Sequence, residues 1–310
     1  MRTGRAASWN SVQVEGAFRD AGATVRRRDW LRVDVDGQVW FEGRSPRTAM
    51  SAVALCKDKR RTVAALHAAG VPAPDARRCT LQTVQRDAAT LGWPVCVKPA
   101  IGSKGRAVTT GITDPDLLRW TAVQASKRGR DPILVERSVD GIHWRVLVLG
   151  TAVSSVECRP WIAVGDGRTS LEGLIDRENR RRDETLTRSF PITVSETLHR
   201  ILAEQHLRTS SVLAAGETAR IAWSMNARQG AILIEHGDAA PDRVRAAAEA
   251  AIDAVPGLAH GAVDLVDDGQ TSWVVDVNSN PGFGAHLHPY EGDRQPVLEA
   301  LVATHRAVVA

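Results

Sequence analysis

The sequence predicts an α+β protein whose main sheet is largely antiparallel. Between about residues 132 and 280 the strand-like runs follow one another through loops and hairpins, with few of the crossover helices that parallel strands require. Helical periodicity is confined to separate stretches: Val244, Ala247, Ala248, Ala251, Ile252 and Val255 recur at i, i+3, i+4, i+7, i+8 and i+11, one apolar face closed by Pro256-Gly257. With 310 residues, 43% of them hydrophobic and 25% charged, the chain can bury a sizeable core, as one large domain or two to three small ones.

In chain order, a helix is expected around Val12–Ala21, ending at Gly22. The short strands Trp30–Val35 and Gln38–Glu42 follow, joined by the hairpin dipeptide Asp36-Gly37. The stretch CKDKRRTVAALHAAGVPAP reads as an amphipathic helix stopped by Gly70, Pro72 and Pro74, with Lys57 and Lys59 at its start. A helix over Val84–Leu91 precedes the strand Pro94–Lys98. Beyond a glycine-rich turn another strand begins near Arg106, and a helix capped by Asp114 runs from Pro115 to Gly129. Pro132–Glu136 is a strand. HWRVLVLG and TAVSSVEC are two more, turning at Gly150. A short helix near Leu171–Ile175, a helix near Ser195–Gln205, and strands Ala219–Asn226 and Ala231–Glu235 lead to the helix from Pro241. A hairpin, Ala262–Asp268 with Trp273–Asn278, and a C-terminal helix close the chain.

Bulk properties exclude several classes. No apolar run reaches the length of a membrane span, and MRTGRAASWNSVQ lacks the apolar centre of a signal peptide. Cys56, Cys79, Cys96 and Cys158 are scattered without a C-x-x-C pair, which favours reduced thiols and a cytoplasmic location over a disulfide frame or a zinc site. The net charge of +4 invites a nucleic-acid reading, but the clusters Arg26–Arg28 and Arg180–Arg182 are not interleaved with aromatics. A basic rim suits an anionic small substrate instead.

Three stretches carry chemistry. In WVVDVNSNPGFGAHLHPYEG (Trp273–Gly292), Asp276 and Asn278 lie two apart on a strand and so share a face, and Asp264 stands on the partner strand. Two carboxylates and an amide suit a hard cation; solvated acids on a surface hairpin are the alternative. To share a metal, Asp264 and Asp276 must face one side. A two-residue turn at Asp268-Gly269 would put them on opposite faces, so an odd-numbered loop centred on Gln270 is expected. In KPAIGSKGRAV (Lys98–Val108), Gly102, Ser103, Lys104 and Gly105 lie between two strands, where backbone N–H groups can approach an anion, or simply form a turn; the spacing is not a Walker A loop. Lys59 at a helix N-terminus opposes the helix dipole unless it faces an anion, for which a phosphate would serve.

Taken in order, DKRRTVAALHAAGVPAP, VKPAIGSKGRAV, VERSVDGIHWRVLVLG, VGDGRTSLEGLIDREN, GAVDLV and VVDVNSNPGFGAHLHPYEG resemble the ATP-grasp ligases from about Phe41 to Glu299. The nearest likeness is to the ATP-grasp domain of cyanophycin synthetases, then to glutathione-synthetase-like and D-alanine–D-alanine-ligase-like domains. The resemblance implies two α+β lobes clasping ATP: a small preface over residues 1–50, a central lobe over 51–131 and a C-terminal lobe over 132–310. It implies phosphate contacts from Lys59, Lys98 and the Gly102–Gly105 loop with Ser103 and Lys104, and adenine contacts from Val135 and Glu136. It implies two Mg²⁺ ions, with Mn²⁺ as a substitute, on Asp264, Asp276 and Asn278. Arg145 would steady the transferred phosphate, and His286, Glu291 and Gly282 would lie near an amino-acid substrate.

The departures from the family pattern are specific. His143 stands where relatives place an acid for the ribose. Asp276 replaces a glutamate. Arg159 abuts Pro160 ahead of Gly165-Asp166-Gly167, where one residue usually intervenes. Ala222 and Trp223 stand where an arginine is usual before Asn226, leaving Arg220 and Arg228 as replacements. The resemblance implies a carboxylate–amine ligase that works through an acyl phosphate on amino-acid or small-peptide substrates, in specialised biosynthesis. Neither nucleic acid nor membrane is expected as a partner, and a homo-oligomer is compatible. A degenerate ATP-grasp protein that binds nucleotide or a partner without ligating is the competing expectation.

Overall fold

The computed structural model describes residues 6–101, 107–129, 132–185, 191–222 and 230–309. The chain opens with α1 (Trp9–Asp20), β1 (Val25–Arg27), β2 (Arg32–Val35) and β3 (Gln38–Phe41), then α2 (Met50–Lys57), α3 (Lys59–Ala68) and β4 (Ala76–Cys79). Next come α4 (Val84–Leu91), β5 (Val95–Pro99), β6 (Thr109–Ile112), α5 (Pro115–Gly129) and β7 (Ile133–Arg137). They are followed by β8 (Ile142–Leu149), β9 (Thr151–Arg159), β10 (Ile162–Val164), α6 (Leu171–Thr185), α7 (Glu196–Glu204) and β11 (Thr218–Arg220). β12 (Ile232–Glu235), α8 (Asp242–Asp253), β13 (Gly261–Asp267), β14 (Ser272–Asn278), α9 (Gly284–Leu287) and α10 (Val297–Val309) complete it. Every strand pair with a defined register runs antiparallel, so the expected α+β class with antiparallel sheets is the one observed.

The chain forms two compact units. The first comprises Met1–Arg78, Val139–Glu157 and Glu235–Ala310; the second comprises Cys79–Ser138 and Cys158–Ile234. In the first unit β1-β2-β3 make a small sheet, and β9-β8-β13-β14 run in that order in a larger one, with Glu235 at the end of β12. The β2–β3 hairpin turns at Asp36 and Gly37, both at positive φ (48° and 85°), as the twist of a two-residue hairpin demands. β8 serves two cores by alternation. Trp144, Val146 and Val148 join a cluster under α8 with Val263, Leu265, Val274 and Val277, whereas Leu147 and Leu149 join Phe18, Trp40, Phe283 and Leu301 on the other face. Burying one such side chain stabilises by about 1.5–3 kcal/mol.

Along that second face the positions after Leu149 and Leu147 are Arg145 and His143, so an apolar layer gives way to a polar one on the same side of the same strand.

The second unit holds the strands β7-β5-β6, with α4 and α5 covering a core of Val95, Val97, Ile112, Leu118, Ile133 and Val135, and the two-stranded sheet β10-β11. Two elements differ from expectation. α6 continues to Thr185 instead of stopping near Ile175, because two charged residues of its second half are buried as an ion pair: Arg182 Nε donates to Glu178 Oε1 (2.7 Å) one turn away, and another guanidinium nitrogen donates to Gly230 O (2.8 Å). β11 ends at Arg220 rather than continuing toward Asn226; there the Arg220 backbone N–H and C=O pair with the Gln205 side-chain amide (2.8 and 2.9 Å) in place of a strand. Residues 223–229, which include Asn226 and Arg228, lie outside the described residues, as do Gly102, Ser103, Lys104 and Gly105.

Candidate functional site

The polar end of the larger sheet gathers five of the expected residues. Asp264 on β13 pairs across to Arg145 on β8 and, on its other side, to Asp276 on β14. Arg145 is ion-paired with Asp264: a terminal guanidinium nitrogen donates to Oδ2 at 3.2 Å, and Nε lies 3.1 Å from Oδ1. Asn278, two residues beyond Asp276, donates from Nδ2 to Asp264 Oδ2 (3.3 Å). Lys59 reaches in from the first turn of α3, its Nζ 2.5 Å from Asp276 Oδ1. The anion that offsets this lysine against the α3 dipole is therefore the Asp276 carboxylate, and the helix start is capped by Asp58, which accepts from Arg60 N and Arg61 N. Burial pushes the Asp264 carboxyl up; Arg145 opposes this and the neighbouring Asp276 charge adds to it.

The two acids face each other by a different device from the one expected. Asp267 pairs with Ser272, which leaves a four-residue loop, an even number. Asp268 organises that loop, its Oδ1 accepting Gln270 N and Thr271 N. The match is restored inside the hairpin: Leu265 pairs with Val274 and Asp264 with Asp276, so Val275 is an extra residue, a β-bulge. The bulge turns the face of β14. Val274 and Val277 both enter the core, and Asp276 and Asn278 both leave it.

Of the other expected residues in this unit, His143 sits opposite Val266, half-buried, its imidazole pushed down by burial with Asp140 pulling the other way. Gly282 is exposed, with Asn10 Nδ2 3.8 Å from where a Cβ would be, so nothing in the backbone demands glycine there. His286, on α9, is fully buried, and Glu291 is exposed. Gly292 is indispensable: at φ +85° a Cβ would lie 2.2 Å from Glu235 O.

Sequence reasoning missed Ser154 and Glu235. Ser154 Oγ is 2.6 Å from His286 Nδ1 and donates to Glu235 Oε2, and all three side chains are buried. The signal was present in two polar residues within otherwise apolar strands, TAVSSVEC and AILIE.

In the second unit Lys98 and Glu136 form a buried ion pair, Nζ to Oε2 2.7 Å, on the adjacent strands β5 and β7, and Val135 is buried beside Val97. Arg159 ends β9 with an exposed side chain. Lys98, Val135, Glu136 and Arg159 thus belong to a different compact unit from Arg145, Asp264, Asp276 and Asn278.

A divalent cation is tested by the donor set. Among the described residues no three His, Cys, Asp or Glu side chains converge. Two facing carboxylates and an amide nevertheless supply hard oxygen donors for an ion that takes its remaining ligands from water and phosphate, as Mg²⁺ does, so the residues present fit. Among the described residues no helix is long and apolar enough to cross a membrane.

Comparison with known proteins supplies the family. Residues 58–149, which include Lys59, Lys98 and Arg145, match the family described as the carbamoyl-phosphate synthase L chain, ATP binding domain. Cyanophycin synthetase of Crocosphaera subtropica is 31% identical over 261 residues, 78% of this chain and 29% of the relative. That of Geminocystis herdmanii is 29% identical over 267 residues, 80% and 30%. A bifunctional glutathione synthetase from Pasteurella multocida shares the fold, with a TM-score of 0.63 at 19% identity over 96% of this chain and 44% of that one. The chain spans less than a third of the length of those curated relatives. A match to an ATP-binding domain over residues 58–149 and a relative 31% identical over 78% of this chain agree with the shared fold: the chain belongs to the ATP-grasp superfamily.

Proposed function

We propose that the chain is an ATP-dependent carboxylate–amine ligase. It would form an amide bond to an amino acid or small peptide through an acyl phosphate, with release of ADP and phosphate, in the biosynthesis of a specialised peptide or amide. The observation that carries this reading is the facing pair Asp264 and Asp276, with Asn278 beside them and Arg145 and Lys59 each bound to one acid. A free carboxylate is a poor electrophile, and making its oxygen a leaving group requires moving a phosphoryl group past other anionic oxygens, which only a dense set of cations allows.

We assign the metal-holding role to Asp264, Asp276 and Asn278. Bound there, Mg²⁺ would neutralise and align the triphosphate oxygens. Lys59 and Lys98 are assigned to the phosphates. A lysine is a compact charge on a flexible stem and can follow a phosphate that changes position. Gly102, Ser103, Lys104 and Gly105 are assigned to the phosphate loop, and Val135, Glu136 and His143 to the nucleoside. Arg145, Arg159 and Arg228 are assigned to the transferred group, and His286, Glu291 and Gly282 to the amino-acid substrate. The lobes would comprise residues 51–131 and 132–310, behind the preface 1–50.

The test is a coupled measurement on the purified protein with ATP, Mg²⁺ and pooled amino acids, following ADP release and new masses that correspond to condensation with loss of water. Tight ATP binding without ADP release across broad carboxylate and amine pools would replace ligation by binding alone.

A further inference from the structure

We propose that Glu235 and Ser154 are positioning residues that hold His286 as its Nδ1–H tautomer, so that Nε2 stands as a hydrogen-bond acceptor for the amine substrate. The identity of the donor rests on the ligase reading; the tautomer does not.

The direction of each hydrogen bond follows from counting protons. Glu235 Oε1 accepts two backbone N–H groups, from Ser155 (3.0 Å) and Gly237 (2.9 Å), and Oε2 takes the Ser154 hydroxyl. Burial pushes this carboxyl up, but the donors from His286, Ser154 and Gly237 outweigh it and keep Glu235 below the usual range, hence ionised and an acceptor only. The single Ser154 proton must then point at Glu235. Ser154 Oγ therefore offers only lone pairs to His286 Nδ1, 2.6 Å away, and Nδ1 must carry the hydrogen. The opposite arrangement would set serine lone pairs against a carboxylate.

Burial pushes His286 toward its neutral form, against the pull of Glu235; the Arg145 charge favours neutrality and Asp264 opposes it. A neutral ring protonated at Nδ1 has a bare Nε2. That atom is buried and has no hydrogen-bond partner among the described residues. An orphaned buried acceptor carries a free-energy cost, and the fold maintains it beside the Arg145 and Asp264 charges that act on the ring. The same glutamate anchors the following loop: Glu235 N donates to Glu291 O (2.9 Å), and Gly292 packs against Glu235 O where no Cβ fits. Glu235 thus sets both the proton position on His286 and the path of the segment 286–292.

Glu235→Gln makes a directional test. The two backbone N–H groups on Oε1 require the glutamine carbonyl oxygen there, which turns its NH₂ toward Ser154 Oγ. The serine proton must then swing to His286 Nδ1, and the ring proton moves to Nε2. Side-chain ¹⁵N NMR of the ligand-free protein reads this directly, with His286→Asn identifying the resonances. The expected results are a neutral ring with Nδ1–H in the parent protein and Nε2–H in E235Q. A parent protein with Nε2–H, an imidazolium at pH 7, or an unchanged tautomer in E235Q overturns the assignment. In the coupled assay with ATP, Mg²⁺ and the amino-acid pool, E235Q should raise the KM for the amine by about tenfold and leave that for ATP unchanged. Equal effects on both would overturn the acceptor role. A parent protein with the expected tautomer that makes no amide counts against the ligase reading alone.

Discussion

Replacing Lys59 by methionine tests whether the facing acids are held in place by cations. The substitution keeps most of the apolar stem and removes one charge from a pair 2.5 Å apart. The Lys59 side chain is 9% exposed and that of Asp276 23%, so the partner left behind is largely, though not fully, shielded. Breaking a buried pair by removing one member costs about 3–5 kcal/mol, and the residual solvent access of Asp276 places this case near the lower end. For a chain of 310 residues Lys59→Met should therefore lower the melting temperature by about 5 °C. Asp276→Asn should also destabilise, by leaving Lys59 buried without that carboxylate. The double variant K59M/D276N should sit closer to the parent than the sum of the two single changes. Thermal unfolding of all four proteins forms a cycle, and a coupling below about 0.5 kcal/mol would refute the reasoning. MgCl₂ should raise the melting temperature of K59M more than that of the parent, since the acid pair then lacks one of its cations.

Other consequences are open to simple measurement. His260 is buried against Trp40, its Nε2 2.7 Å from Gly43 O, and burial pushes its pKa down to about 4. The unfolded chain takes up a proton near pH 6.5 and the folded one only near 4, so stability present above pH 6.5 is lost as pH falls across that window. The loss from this group is about 2 kcal/mol by pH 5; urea unfolding at pH 7 and pH 5 measures it, and His260→Gln should flatten the dependence. Burial, with the Asp276 charge adding to it, pushes the Cys56 thiol up to about 12, and Cys79 and Cys96 are buried as well. Maleimide at pH 8 should label Cys158 first in the native protein, and mass mapping that finds Cys56 equally fast would contradict the packing around Asp276. Gly292→Ala meets Glu235 O at 2.2 Å, whereas Gly269→Ala, also at positive φ, meets nothing within 4 Å. The second should cost only the left-handed penalty of about 1 kcal/mol and the first distinctly more, as thermal melts of the pair would show.

Much of the scaffold was legible because local and tertiary demands agree. Asp36-Gly37 made its hairpin, the apolar face from Val244 to Val255 became α8 under the main sheet, and Asp114 capped α5 through Leu117 N (2.7 Å). Where they part, prediction failed for identifiable reasons. The charged half of α6 offers no apolar stripe, since Glu178 and Arg182 are buried by pairing with each other. β11 is cut short by a side chain, Gln205, that imitates a strand partner, and nothing in the local sequence announces that contact. The candidate site divides in the same way. Asp264, Asp276 and Asn278 were readable from strand alternation, but Ser154 and Glu235 were not. A buried polar residue declares its purpose only through partners, and Ser154 meets Glu235 and His286 from 81 and 132 residues away in the chain.

The hairpin shows what alternation alone determines. Two acids on opposite strands share a face only if the number of residues between their strands has the right parity, and an even loop without compensation would have sent Asp276 into the core. One change of parity suffices, and it works equally well in the loop or within the ladder. Here it is in the ladder, at Val275, while Asp268 holds a four-residue loop closed by its own hydrogen bonds. The placement has a structural consequence that an odd loop would lack. Before the bulge β14 sends Val274 into the core, and three residues later it sends Val277 there too, so the core has contacts from both sides of the switch. Asp276 and Asn278 therefore project from a segment whose backbone is anchored on either side by buried valines, and the bulge adds local twist at the point where the acids must meet Arg145 and Lys59. Rigid placement of like charges is what a cation-binding surface requires, because acids free to separate would relax apart rather than wait for a divalent ion.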